Sequence, residues 1–218
     1  MVDIIYEDRS VIVCHKKAGM AVQTARPGEM DLVSGLKNYL AKKNGAAPYL
    51  GIVHRLDQPV EGLVLFAKDK NSAAALSEQV KQGGGMHKEY IARVYGSMPL
   101  EKGRLEDWLI KDKGNFSRIV KTGTAGAQKA VLEYERLERN EETELLKIIL
   151  HSGRHHQIRV QLSGNGAPIL GDSRYGTEEA IAYAKDKGIK RLCLIARKLE
   201  FDHPLTGERK TFELDAML

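Results

Sequence analysis

Two short stretches of the 218-residue chain gather groups able to act on a substrate. The first is His54-Arg55-Leu56-Asp57, followed by Gln58-Pro59-Val60-Glu61-Gly62 and an apolar run. An Asp just ahead of a Pro-containing turn that ends on Gly sits on a loop feeding a buried strand, and loops anchored on rigid elements are where reactive groups collect. A carboxylate there can act as nucleophile or stabilise a developing cation. The same Asp57 can equally cap its turn, with Arg55 as ion-pair partner. The second stretch, from His151 to Leu162, holds His151, Arg154, His155, His156, Gln157 and Arg159 beside an apolar strand. A zinc site on the three histidines is disfavoured, since adjacent histidines diverge on a helix and neither HExxH nor paired cysteines accompany them. No metal is expected. A third group, Lys88-Glu89-Tyr90, opens a strand, where a tyrosine by itself reads as a packing residue.

The elements that must hold these groups are mostly strands. Short β-branched or aromatic runs bounded by turn residues occur at 11–14, 62–67, 90–95, 145–150 and 192–196, and 130–135 alternates as a half-buried strand does. Helices are fewer. Residues 31–43 place Leu32, Val33, Leu36, Tyr39 and Leu40 on one stripe. Asn71 or Ser72 can cap a second helix that carries Leu76 and Val80 and stops at Gly83-Gly84-Gly85. Residues 156–162 and 178–187 suggest two more. Strand meanders interrupted by isolated helices predict an α+β fold with a mainly antiparallel sheet.

Composition bounds the class. Hydrophobic residues at 42% and charged residues at 29% match a chain with a buried core, and no apolar run approaches a membrane span. The acidic first residues lack a secretory signal pattern. Cys14 and Cys193, far apart and each in an apolar run, read as reduced core thiols of a cytoplasmic protein. A net charge of +5 favours a polyanionic partner. Six glutamates crowd 133–144 and predict a solvated hairpin that avoids phosphates.

Taken together, the motifs resemble the RluA-type RNA pseudouridine synthases. The resemblance is carried by His54-Arg55-Leu56-Asp57 with Gly62 to Lys68, by Lys88-Glu89-Tyr90, by Gly153 to Val160, and by Gly166 to Asp172 with Tyr175-Gly176. The stretches His15 to Met20 and His203 to Glu208 resemble the family's opening and closing segments, so order and spacing agree from about 10 to 214. The resemblance implies the pseudouridine synthase fold, a long, mixed but mostly antiparallel sheet with flanking helices and a central cleft. It also implies one catalytic domain over 1–218, acting as a monomer without an N-terminal S4 RNA-binding module. The implied reaction isomerises uridines of ribosomal or transfer RNA, with Asp57 as nucleophile and no cofactor. Arg159 would pair with Asp57, and Tyr90 would stack on the uracil. Arg55 would fill the space of the flipped base. His54, Lys88, Arg154, Gln157, Lys16 and Lys17 are the expected RNA contacts, with Arg118 and Lys121 as further phosphate partners. Three positions depart from the family pattern: Pro59-Val60-Glu61 replaces a Thr-Ser turn, Lys17 stands where proline is usual, and His155 where a small or hydroxyl residue is frequent. A silent RNA-binding protein on this scaffold and a nucleoside hydrolase using Glu61 as second acid are the competing classes.

Overall fold

The computed structural model describes residues 2–24, 26, 28–45, 48–81, 83–215 and 218. In chain order the elements are β1 (Asp3–Glu7), β2 (Val11–Lys16), α1 (Leu32–Asn44), β3 (Gly51–Ile52), β4 (Glu61–Ala67), α2 (Lys70–Val80), β5 (His87–Tyr95) and β6 (Lys102–Lys111). They continue with β7 (Ser117–Val120), β8 (Gln128–Arg139), β9 (Thr143–Leu150), α3 (Gln157–Gly164), α4 (Glu178–Asp186), β10 (Leu194–Asp202) and β11 (Arg209–Glu213). The chain forms two compact units, 1–87 with 196–215 and 88–195 with 216–218. Among the described residues no helix is long and apolar enough to cross a membrane.

In the first unit the strand order is β1-β2-β4-β10, with β3 on β4 and β11 on β10. β2 and β4 are apolar almost throughout and run antiparallel, Val11 opposite Ala67 and Lys16 opposite Gly62. Both are buried on both faces, which is why they read as continuous apolar runs rather than alternating ones. α1 packs Leu32, Leu36 and Leu40 inward and is capped by Asp31, whose carboxylate accepts the Ser34 N–H. The cap of α2 is Asp69, not Asn71 or Ser72: its carboxylate takes both the amide and the hydroxyl of Ser72. Gly62 has φ 139°, and a methyl there would overlap the backbone of Ala196 in β10, so only glycine allows the two strands to close.

In the second unit β5, β9, β8, β6 and β7 follow one another as an antiparallel meander. The expected acidic hairpin is β8–β9, turned by Asn140, whose side chain accepts the amides of Glu142 and Thr143. β6, β7, β1, β3 and β11 lie outside the strands that the sequence pattern predicts. β6 is highly charged and is held by its eight-residue register with β8, Lys102 opposite Glu135 and Leu109 opposite Gln128. The segment at 168–170 lies along β5, Ile169 forming a bridge with Val94.

Candidate active site

Asp57 belongs to the first unit, on the loop joining β3 to β4. The loop ends in a turn closed by the Val60 N–H on the Asp57 carbonyl at 3.0 Å. Lys16 ties this turn to the segment after β2. Its ammonium donates to the carbonyls of Met20 (2.7 Å), Gln58 (3.0 Å) and Lys17 (3.2 Å), while Gly19 and Gln58 exchange two further bonds. Lys16 is 0% exposed. Burial pulls its pKa down to about 8, against the opposing pull of the Asp57 and Glu61 charges. The expected role as an RNA contact is therefore corrected: a cation sealed among three carbonyls braces the Asp57 turn and offers nothing to a phosphate.

The neighbours of Asp57 are similarly fixed. His54 Nε2 accepts the Leu65 N–H at 3.2 Å, tying the loop to β4. Arg55 is exposed and Leu56 is buried. His15 Nε2 lies 2.8 Å from the Glu61 carboxylate, and its Nδ1 lies 3.1 Å from the Lys17 ammonium and 3.2 Å from the Asp3 carboxylate. Lys17 also reaches Asp3 at 3.5 Å. Two of the departures from the family pattern, Glu61 and Lys17, are thus joined through one histidine. A Glu61 carboxylate engaged in this way is poorly suited to serve as the free second acid of a hydrolase.

Tyr90 and Arg159 belong to the second unit. Tyr90 is in mid-β5 opposite Ile148 of β9 and is 6% exposed. Lys88, on the same strand, is also buried, and burial lowers its pKa. Arg159 is buried on α3 and makes a two-pronged ion pair with Asp172, Nε to Oδ2 and Nη2 to Oδ1, both 2.7 Å. Asp172 Oδ1 also accepts the amides of Arg174 and Tyr175. The guanidinium carbon of Arg159 lies 5.0 Å from the centre of the Tyr175 ring. One planar cation is therefore set by a planar anion at its edge and an aromatic ring at its face. In the sequence Asp172 and Tyr175 stand only as parts of a motif, with nothing beside them to indicate either role.

The start of α3 is equally constrained. His156 adopts φ 53° and its Nδ1 lies 2.7 Å from the Tyr175 hydroxyl. That hydroxyl also accepts the Ser117 N–H at 2.9 Å. Burial first, and the Arg159 charge second, lower the His156 pKa to about 3. His155 stacks on His156 at 3.7 Å and meets Ser117 Oγ through Nδ1. Gln157, expected to touch RNA, instead spends both ends of its amide internally: Oε1 accepts from Ser152 and Arg154, and Nε2 donates to Val131 and Gln161. That expectation is corrected as well, since the side chain is the joint between α3 and β8. Arg154 is partly exposed, its Nε on the Lys129 carbonyl. Among the described residues no three His, Cys, Asp or Glu side chains are grouped to hold a metal.

Comparison with known proteins is decisive at the family level. The sequence pattern of the RNA pseudouridylate synthase family matches residues 10–164. The chain belongs to that family. As a pseudouridine synthase it is an isomerase. It is 34% identical over 203 residues to the dual-specificity RNA pseudouridine synthase RluA of Vibrio cholerae, covering 93% of this chain and 78% of that protein. It is 33% identical over 211 residues to ribosomal large subunit pseudouridine synthase C of Yersinia pestis, covering 96% of this chain and 64% of that one. The human RNA pseudouridylate synthase domain containing 4 superposes with a TM-score of 0.79 at 24% identity, over 98% of this chain and 88% of that chain. The fold of this pseudouridine synthase is thus the α+β pseudouridine synthase fold that the resemblance implied.

Proposed function

We propose that this pseudouridine synthase acts on uridines of ribosomal or transfer RNA in the cytoplasm, as a monomer, with Asp57 as its nucleophile. The reaction breaks N1–C1′, turns the uracil while it is held, and joins C5 to C1′. The proton leaving C5 is balanced by one gained at N1, and nothing is oxidised. A single carboxylate is enough for this, attacking sugar or base or stabilising positive charge at the sugar. The observation that carries the reading is the turn at Asp57. Its backbone is braced by a buried ammonium whose positive charge favours the ionised carboxylate against desolvation.

Arg159, pre-set by Asp172 and Tyr175, is the cation we assign to orient Asp57. Tyr90 is the ring on which the flipped uracil stacks, a contact worth about 1–3 kcal/mol. Extrusion of the uridine costs a few kcal/mol, offset by Arg55 filling the vacated space and by phosphate contacts from Lys17 and Arg154.

The test is to map pseudouridine in total RNA of cells lacking the gene and complemented with single variants. Asp57→Asn is expected to restore no sites while the purified protein keeps its fold and RNA affinity. Arg159→Lys keeps the charge but loses the fork, so turnover is expected to fall at least 100-fold with affinity changed less than threefold. Near-normal turnover of Asp57→Asn would remove it as nucleophile. Equal losses of turnover and affinity in Arg159→Lys would make Arg159 an RNA anchor.

A further inference from the structure

Positive charge is distributed unevenly over the second unit. On the β6, β8 and β9 strands the cations are answered by carboxylates: Lys102 and Lys147 by Glu135, Arg104 by Glu133, Lys129 by Glu106, and Arg136 by Glu144. The β6–β7 hairpin and the loop after it are different. Lys111, Lys113, Arg118 and Lys121 carry four charges against the single Asp112. Among the described residues none of those four side chains makes a hydrogen bond or ion pair. Asp112 is itself occupied, its carboxylate accepting the Phe116 N–H at 2.9 Å within the turn.

A cavity of about 400 Å³ opens beside the turn end of this hairpin. Lys111, Ser117, Gln128, Arg154 and His155 form its polar wall over the apolar Leu109, and no carboxylate lines it. Arg154 is positioned by its Nε bond to the Lys129 carbonyl, so its terminal nitrogens have no partner among the described residues. His155 is fixed twice, by its stack on His156 and by Ser117 Oγ, and it is the third departure from the family pattern. A rigid arginine fork, a nearby ammonium and a polar wall without an opposing acid are what the non-bridging oxygens of a phosphodiester require. The volume is that of a small-ligand site.

We propose that this cavity seats a backbone phosphodiester of the RNA strand, held by Arg154 and Lys111 with His155 as the wall. The unpaired Lys113, Arg118 and Lys121 form the track that leads the strand to it. The inference rests on the reading of the chain as an RNA-modifying enzyme and adds to it a seat for the backbone of the strand.

The experiment measures binding of a fluorescein-labelled 20-nucleotide RNA hairpin to the full chain across a KCl series. Removing one cation that neutralises a phosphate lowers the slope of log affinity against log salt by about one. The double variant Lys111→Gln/Arg154→Gln is therefore expected to lose about two from the slope and about tenfold or more in affinity at 0.1 M KCl. Lys37→Gln/Lys42→Gln on α1 removes the same charge elsewhere and should leave the slope within one half of the unaltered value. Lys111→Arg/Arg154→Lys, which keeps both charges, should restore the slope, a result that a folding defect would not give. Equal slopes for the cavity pair and the α1 pair would overturn the proposal, as would salt-independent binding by the unaltered chain. Asp57→Asn separates the two readings. If the unaltered chain makes no pseudouridine but Asp57→Asn and the unaltered chain share the cavity-dependent slope, the reaction assignment fails and the strand site stands. Normal turnover with a slope indifferent to the cavity leaves the reaction and removes the site.

Discussion

At His156 the backbone lies in the left-handed region, at φ 53°, and the imidazole is buried with the Tyr175 hydroxyl on its Nδ1. Its folded pKa of about 3 is below the ordinary value of 6.5. Between those two values the unfolded chain binds a proton that the folded chain refuses. Stability linked to His156 is therefore fully present above pH 6.5 and is lost as pH falls toward 3, at up to about 1.4 kcal/mol per pH unit. His156→Asn is the informative variant, because asparagine tolerates the left-handed conformation and can still hydrogen-bond Tyr175 but does not titrate. Urea midpoints at pH 7, 5.5 and 4.5 should fall steeply for the unaltered chain and less steeply for the variant. Parallel curves would mean that His156 titrates normally. Of the candidate residues, sequence resemblance names Asp57, Tyr90 and Arg159, but it gives Lys16, His54 and Gln157 outward roles that their inward bonds do not match. Charge type alone does not tell a braced lysine from a phosphate contact. The difference lies in three carbonyls brought from two segments about 40 residues apart. Asp172 goes unassigned for a related reason: nothing local to an Asp states that a buried arginine 13 positions earlier needs its carboxylate.

Elements are legible where local pattern decides them. β2, β4 and β5 are apolar runs between turns, and α1 has a striped face with an Asp cap, so the sequence locates them to within a few residues. β6 escapes that reading because its residues, Lys102 to Lys111, have no reason to be a strand until β8 lies beside them. There cross-strand pairs such as Arg104 with Glu133 and Lys129 with Glu106 supply the reason. The cap of α2 falls on Asp69 because an Asp ahead of Ser72 can take both its amide and its hydroxyl. The strand that follows Asp57 has one position that the pattern does explain. Gly62 must keep φ 139° and must lack a Cβ where β4 meets Ala196 of β10. Gly62→Ala should therefore cost about 3 kcal/mol or more, from left-handed strain and strand separation together. The check is thermal melting followed by circular dichroism, with Ala74→Gly on the exposed side of α2 as a comparison costing about 1 kcal/mol. Equal losses would show that the β4–β10 approach is softer than its geometry.

For the whole molecule, the sequence yields a net charge of +5 and a glutamate-rich stretch, and the structure gives that stretch a job. Glu133 and Glu135 do not merely solvate a hairpin; they neutralise Arg104, Lys102 and Lys147 across β6, β8 and β9. Removing Glu133 and Glu135 would free Lys102 and Lys147 on this face, otherwise closed to phosphates, while Arg104 keeps its bond to Glu106 at 2.8 Å. An enzyme that must find particular uridines gains from such closure, because sequence-independent phosphate binding slows release from wrong RNA. Glu133→Gln/Glu135→Gln is accordingly expected to bind a labelled 20-nucleotide RNA hairpin more tightly, with a slope of log affinity against log salt steeper by about one to two. Turnover on the target uridine should not rise, since none of these groups belongs to the Asp57 turn or the Arg159 clamp. The measurement is anisotropy across a KCl series alongside pseudouridine mapping. An unchanged slope would mean that the freed cations pair again within the sheet, and a faster enzyme would mean that this face carries the productive RNA.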